Sequence, residues 1–107
     1  MAYPVIPDVP IAAVTDGGTL TAAVAAGAGG AGAVKASAGR LCRVIVTTLG
    51  TAALTFYDNA SAASGTALFV VPASAAAGTI YNLQMPAANG IYAGGAANTP
   101  AVTVAYE

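Results

Sequence analysis

Few side chains in this sequence can do acid–base or nucleophilic chemistry. They are the carboxylates Asp8, Asp16, Asp58 and Glu107, the cations Lys35, Arg40 and Arg43, and one thiol, Cys42. There is no histidine, so the commonest general base and metal ligand is missing. One Cys and no His exclude the clusters that hold zinc. Glycoside cleavage needs two carboxyl groups a few ångströms apart across a cleft. Here Asp16 and Asp58 stand beside Gly17 and Asn59, turn contexts in which a carboxylate accepts hydrogen bonds from nearby backbone N–H groups. Asp8 lies among prolines and Glu107 is the last residue. The expectation is a non-catalytic chain with no cofactor and no metal.

Other patterns imitate sites without their essential parts. Gly27-Ala28-Gly29-Gly30-Ala31-Gly32 ahead of Lys35 lacks the Gly-Lys-Ser/Thr ending of a phosphate loop, and strands rather than a helix follow it. Asn59-Ala60-Ser61 fits the glycosylation triplet, but in a turn and without a visible secretion signal it reads as chance. Cys42 sits in an apolar run, where a thiol acts as a small hydrophobe. The tyrosines 3, 57, 81, 92 and 106 suit packing at a core edge or interface better than a stacking platform.

Composition turns this poverty of chemistry into an expectation of partners. The chain is 57% hydrophobic, but 29 residues are Ala and only 24 are Val, Ile, Leu or Phe. A core built from so few large groups is marginal for one small domain, and a bound partner subunit adds stability by mass action. Charged residues make up 7% and the net charge is −1, against about 25% charged in ordinary soluble domains. Such a surface favours association, so homo-oligomerisation is expected. Three cations are too few for the phosphate contacts of nucleic-acid binding. Residues 20–34 are too weakly apolar to span a bilayer, and the start lacks a cationic signal region, so synthesis in a cytoplasm is expected.

The elements that must carry these residues divide at residue 34. Residues 1–33 are expected to form an extended Pro-rich arm and an Ala/Gly-rich connection, and residues 34–107 a β-sandwich domain. Pro4, Pro7 and Pro10 hold the first segment extended. Between them Tyr3, Val5, Ile6, Val9 and Ile11 are apolar, which a solvated linker does not need. These five are the candidate interface residues, covering either the chain's own core or a neighbouring subunit. Residues 19–26 are open between a short strand and a frayed helix, and residues 27–33, with four glycines, suit a loop or a flat backbone segment. Beyond them six strands are expected: 41–48, 54–57, 68–71, 79–85 (stopped by Pro86), 91–92 and 101–106. In the first, Leu41, Arg43, Ile45 and Thr47 should share one face and Cys42, Val44, Val46 and Thr48 the other. Short, evenly spaced strands separated by Gly, Pro and Asn imply an all-β fold, an antiparallel β-sandwich or jelly roll.

One resemblance adds to this reading. Val34-Lys35-Ala36, Gly39-Arg40-Leu41, Arg43-Val44, Gly50-Thr51-Ala52-Ala53-Leu54, Tyr57-Asp58-Asn59-Ala60-Ser61, Met85-Pro86, Asn89-Gly90-Ile91 and Val102-Thr103-Val104-Ala105-Tyr106 together resemble small virion proteins of tailed bacteriophages. The resemblance covers about two-thirds of the chain and contains no catalytic residues. It implies a head decoration (cement) protein on the capsid exterior, with the major capsid protein and itself as partners, as a trimer or dimer. A receptor- or glycan-binding β-sandwich of a tail or fibre is the alternative.

Overall fold

The computed structural model describes residues 17–107. It contains eight strands: β1 (Leu20–Val24), β2 (Gly32–Lys35), β3 (Gly39–Thr48), β4 (Leu54–Tyr57), β5 (Ala67–Val71), β6 (Ile80–Ala87), β7 (Ile91–Ala93) and β8 (Ala101–Tyr106), with one 3-10 turn at Gly27–Gly30. They form two four-stranded sheets, ordered β1-β8-β3-β6 and β2-β7-β4-β5, called sheets A and B below. All the strand pairs are antiparallel. Consecutive strands alternate between the sheets except β4 and β5, which pair directly. This order is the double-Greek-key jelly roll, which selects one of the two architectures that the sequence left open. Among the described residues no helix is long and apolar enough to cross a membrane.

The core is the space between the sheets. Val44, Val46, Val102, Val104 and Leu41 come from sheet A, and Leu54, Phe56, Val71, Ile91 and Ala93 from sheet B. Each is at most 1% exposed, so the few large side chains are concentrated in one layer. Phe69 and Tyr81 join the sheets through tilted rings 4.9 Å apart.

Three expectations need correction. The division at residue 34 does not follow the sheets, because β1 pairs with β8 from Leu20↔Tyr106 to Val24↔Val102, and β2 begins at Gly32. The weak apolar signal of Leu20-Thr21-Ala22-Ala23-Val24 suffices because β8 supplies the hydrogen bonds and Val102 and Val104 the packing partners. In β3, Leu41 joins Val44 and Val46 in the core, while Arg43 and Ile45 face outward. Cys42 is an extra residue relative to β8, and such a bulge reverses the two-residue alternation. Finally, Pro86 does not stop β6, which continues to Ala87. β6 is an edge strand, where a missing N–H is tolerated. It carries its own bulge, with Gln84 at φ 53°.

Candidate interaction surface

The candidate interface residues Tyr3, Val5, Ile6, Val9 and Ile11 lie outside the described residues, as do Asp8 and Asp16. The described residues include five charged side chains; the topology places Lys35, Arg40, Asp58 and Glu107 at one end of the sandwich and Arg43 mid-strand on the outer face of sheet A. Residues 36–38, 58–66 and 88–90 connect strands at that end. Arg40 and Glu107 exchange backbone hydrogen bonds of 2.9 and 3.0 Å. The Arg40 guanidinium also donates to the Glu107 carboxylate and to the Gln84 side-chain carbonyl. Lys35 lies alongside, since a Cβ on Gly39 would stand 2.8 Å from its Cδ.

Asp58 closes the same end. Its carboxylate accepts backbone N–H bonds from Asn89 (2.7 Å), Ala88 (3.1 Å) and Gly90 (3.3 Å). The Asn89 bond foremost, then those from Ala88 and Gly90, hold its pKa below the ordinary value despite the opposing effect of desolvation. The next residue forms an Asx turn, with Asn59 Oδ1 accepting the N–H groups of Ser61 (2.9 Å) and Ala62 (3.0 Å). Asp58 and Asn59 thus serve the turns. Cys42 is buried and its thiol donates to the Arg40 carbonyl at 3.7 Å. Among the described residues no three His, Cys, Asp or Glu side chains group together.

The opposite end is built from residues 25–31, 49–53, 72–79 and 94–100, which contain no charged side chain. They are mostly Ala and Gly, yet they brace one another through the backbone. Gly27 N–H donates to the Thr99 carbonyl (3.1 Å), Ala52 N–H to that of Asn98 (2.9 Å) and Ser74 N–H to that of Gly50 (2.7 Å). Thr99, 2% exposed, donates its hydroxyl to the Ala96 carbonyl at 2.9 Å. Gly50 lies so close to the facing loop that a Cβ there would be 2.3 Å from Pro100 N. Small residues are what let four loops meet this closely. A shallow depression of about 360 Å³ opens between Gly27, Leu49, Thr51 and Asn98, and Leu49 is 49% exposed at its rim.

The sheet faces are also poor in charge. On the outside of sheet A, Thr21, Ala105, Arg43 and Asn82 form one rank, and Ala23, Thr103, Ile45 and Ile80 the next. Arg43 Nε donates to Asn82 Oδ1 at 2.6 Å. On the outside of sheet B, Tyr57 and Tyr92 are direct cross-strand neighbours, with Val70 exposed beyond them. Tyr81 and Tyr106 instead pack against the core. The charge-free end was not legible as a unit, because its loops are distant in sequence. The signal was present in the absence of any Asp, Glu, Lys or Arg from residue 59 to residue 106. No protein-family model, no curated protein and no solved structure matches this chain.

Proposed function

We propose that this chain is a non-catalytic structural protein of a tailed-bacteriophage virion, a head decoration (cement) protein that binds and stabilises the capsid shell through subunit and capsomer contacts. The observation that carries this reading is the polarity of the sandwich: four of the five charges of the described residues stand at one end, the fifth (Arg43) lies mid-strand on the outer face of sheet A, and the other end is a braced, charge-free surface of Ala, Gly and Thr. Removing that surface from water uncovers no ion, so docking it costs little desolvation of charged groups. The deficit of charge, awkward on a free protein, is useful on one surrounded by neighbours. The jelly roll supports the reading by analogy alone, as an architecture of viral capsid and lectin domains.

A tail or fibre binding module is the second reading. The outward Tyr57–Tyr92 pair favours it, since paired aromatic rings suit sugar stacking. Against it, the loops of the charge-free end carry no aromatic side chain. Quantitative mass spectrometry of purified particles separates the two. Hundreds of copies per virion are expected for decoration; a few to dozens assign the chain to the tail, and none removes it from the virion.

A further inference from the structure

The hydrogen bonds around β8 show which backbone groups of β1 point out of the sheet. Glu107 and Arg40 exchange N–H···O bonds, so the backbone of Glu107 faces β3. Successive residues of a strand direct these groups to opposite sides. Those of Tyr106 accordingly face β1, where the Tyr106 carbonyl accepts from Thr19 N–H at 3.1 Å. Carried along the register, the alternation has Leu20, Ala22 and Val24 bonding β8 opposite Tyr106, Val104 and Val102. Thr21 and Ala23 then turn their N–H and C=O groups outward, and among the described residues no strand pairs on that side.

The other three edge strands carry devices that discourage pairing. β6 has Pro86 and a bulge with Gln84 at φ 53°. β2 is four residues long, shifts register and ends in Lys35. β5 shifts register and is followed by Pro72. β1 keeps its register throughout, with no proline and no charge. Its core-facing side is also incompletely covered. Leu20 shares a face with Ala22 and Val24, yet it is 50% exposed. Between β1 and β2 lies a cleft of about 250 Å³ lined by Ala, Gly and Val alone. The β5–β6 side is closed instead by the rings of Phe69 and Tyr81.

We infer that β1 is a homodimer interface, pairing antiparallel with β1 of a second copy about a two-fold axis at Ala22. The occupant is a second copy because the strand is its own complement, as a two-fold interface requires. In that register Thr21 stands opposite Ala23 of the second copy, and each outward N–H and C=O group of these residues finds a partner. Leu20 stands opposite Val24 of the second copy, on the core face at the mouth of the cleft, where its exposed surface is covered. No like charges meet. The inference does not rest on the virion reading, and its failure leaves that reading standing.

Analytical ultracentrifugation of the full chain is expected to show a reversible monomer–dimer equilibrium. Ala23→Pro removes an outward N–H from each copy and leaves the bonds to β8 in place. It should weaken the dimer about tenfold, the equivalent of two lost hydrogen bonds, while a thermal melt still shows a folded chain. Ala23→Lys keeps the N–H and sets two like charges diagonally across the axis, so it should weaken the dimer even where proline disturbs the strand. Cysteines test the register. Ala22→Cys faces its own copy at a Cα separation of about 4.5 Å, within disulfide range, and should join the two chains on mild oxidation. Leu20→Cys lies roughly 14 Å from its mate and should not. A monomer at every concentration, a dimer indifferent to both Ala23 variants, or Leu20→Cys joining as readily as Ala22→Cys overturns the inference.

Discussion

Arg40 and Glu107 are joined twice, by reciprocal backbone hydrogen bonds and by an ion pair between their side chains. Because the guanidinium also reaches Gln84, this one residue of β3 ties the end of β8 to the edge strand β6. The ion pair is partly screened, its side chains being 17% and 24% exposed, so its worth lies near the surface value. Glu107→Gln is expected to destabilise the fold by about 1 kcal/mol, a fall in Tm of about 4–8 °C for a domain of this size. The gap from the parent should narrow in high salt. Thermal melts of both proteins at low and high ionic strength check this, and a gap indifferent to salt would show that the charge contributes nothing.

Asp58 predicts an acid limit. Its carboxylate is stabilised by three N–H donors in the folded chain and by none in the unfolded one, so its folded pKa lies below the ordinary 3.8. The contribution is complete above that unfolded value and is lost as pH falls from there through the folded pKa. Asp58→Asn should be less stable than the parent at pH 7, with the difference shrinking below about pH 4. Denaturant midpoints from pH 7 to pH 3 give the comparison, and a constant difference would refute the linkage.

Much of the strand layer was legible because burial on one face imprints a two-residue period. The run Ala101–Tyr106 shows it cleanly, and Val102 and Val104 are buried as the alternation implies. The bulge at Cys42 was not legible, because an inserted residue has no marker when it is itself apolar. β1 was ambiguous for a related reason. Ala suits a helix as well as a strand, and only pairing with β8 decides. The charge-free end shows a different limit: each loop reads as an ordinary Gly/Ala connection, and only the strand order brings the four together.

Glycine positions at that end give a contrast within one loop system. Gly50→Ala puts a methyl against the backbone of Asn98, Thr99 and Pro100, which cannot swing aside as a side chain can. A loss of about 1–3 kcal/mol is expected. Gly29→Ala meets nothing within 4 Å and restricts the unfolded chain, so it should be neutral or stabilise by up to about 1 kcal/mol. Urea unfolding of the two variants tests the bracing of the loops, and equal effects would contradict it.

The core predicts a larger loss. Phe56 is fully buried, lies opposite Phe69 across β4 and β5, and through Phe69 reaches Tyr81 of the other sheet. With few other large side chains in the layer, the space left by Phe56→Ala cannot readily collapse. The expected cost is about 3–5 kcal/mol, a large part of the 5–15 kcal/mol typical of whole domains. Loss of a cooperative urea transition, or a midpoint displaced by that amount, is the expected observation. A shift below about 1 kcal/mol would mean that the neighbours refill the site.

Charge placed on the charge-free end separates binding from folding. Ala28, Ala76 and Ala97 are exposed there, so a glutamate at any of them remains solvated in the free protein, where surface changes of this kind stay within about 0.5 kcal/mol. In a docked state the same carboxylate is desolvated without a partner, which costs several kcal/mol. On the proposed decoration role, Ala28→Glu and Ala97→Glu should therefore keep the parent Tm but lose at least tenfold in occupancy on particles stripped of this protein. Ala36→Glu, exposed at the charged end, should bind like the parent. Sedimentation of labelled protein with the particles reads all three. Equal occupancy by all of them would place the docking surface elsewhere on the sandwich.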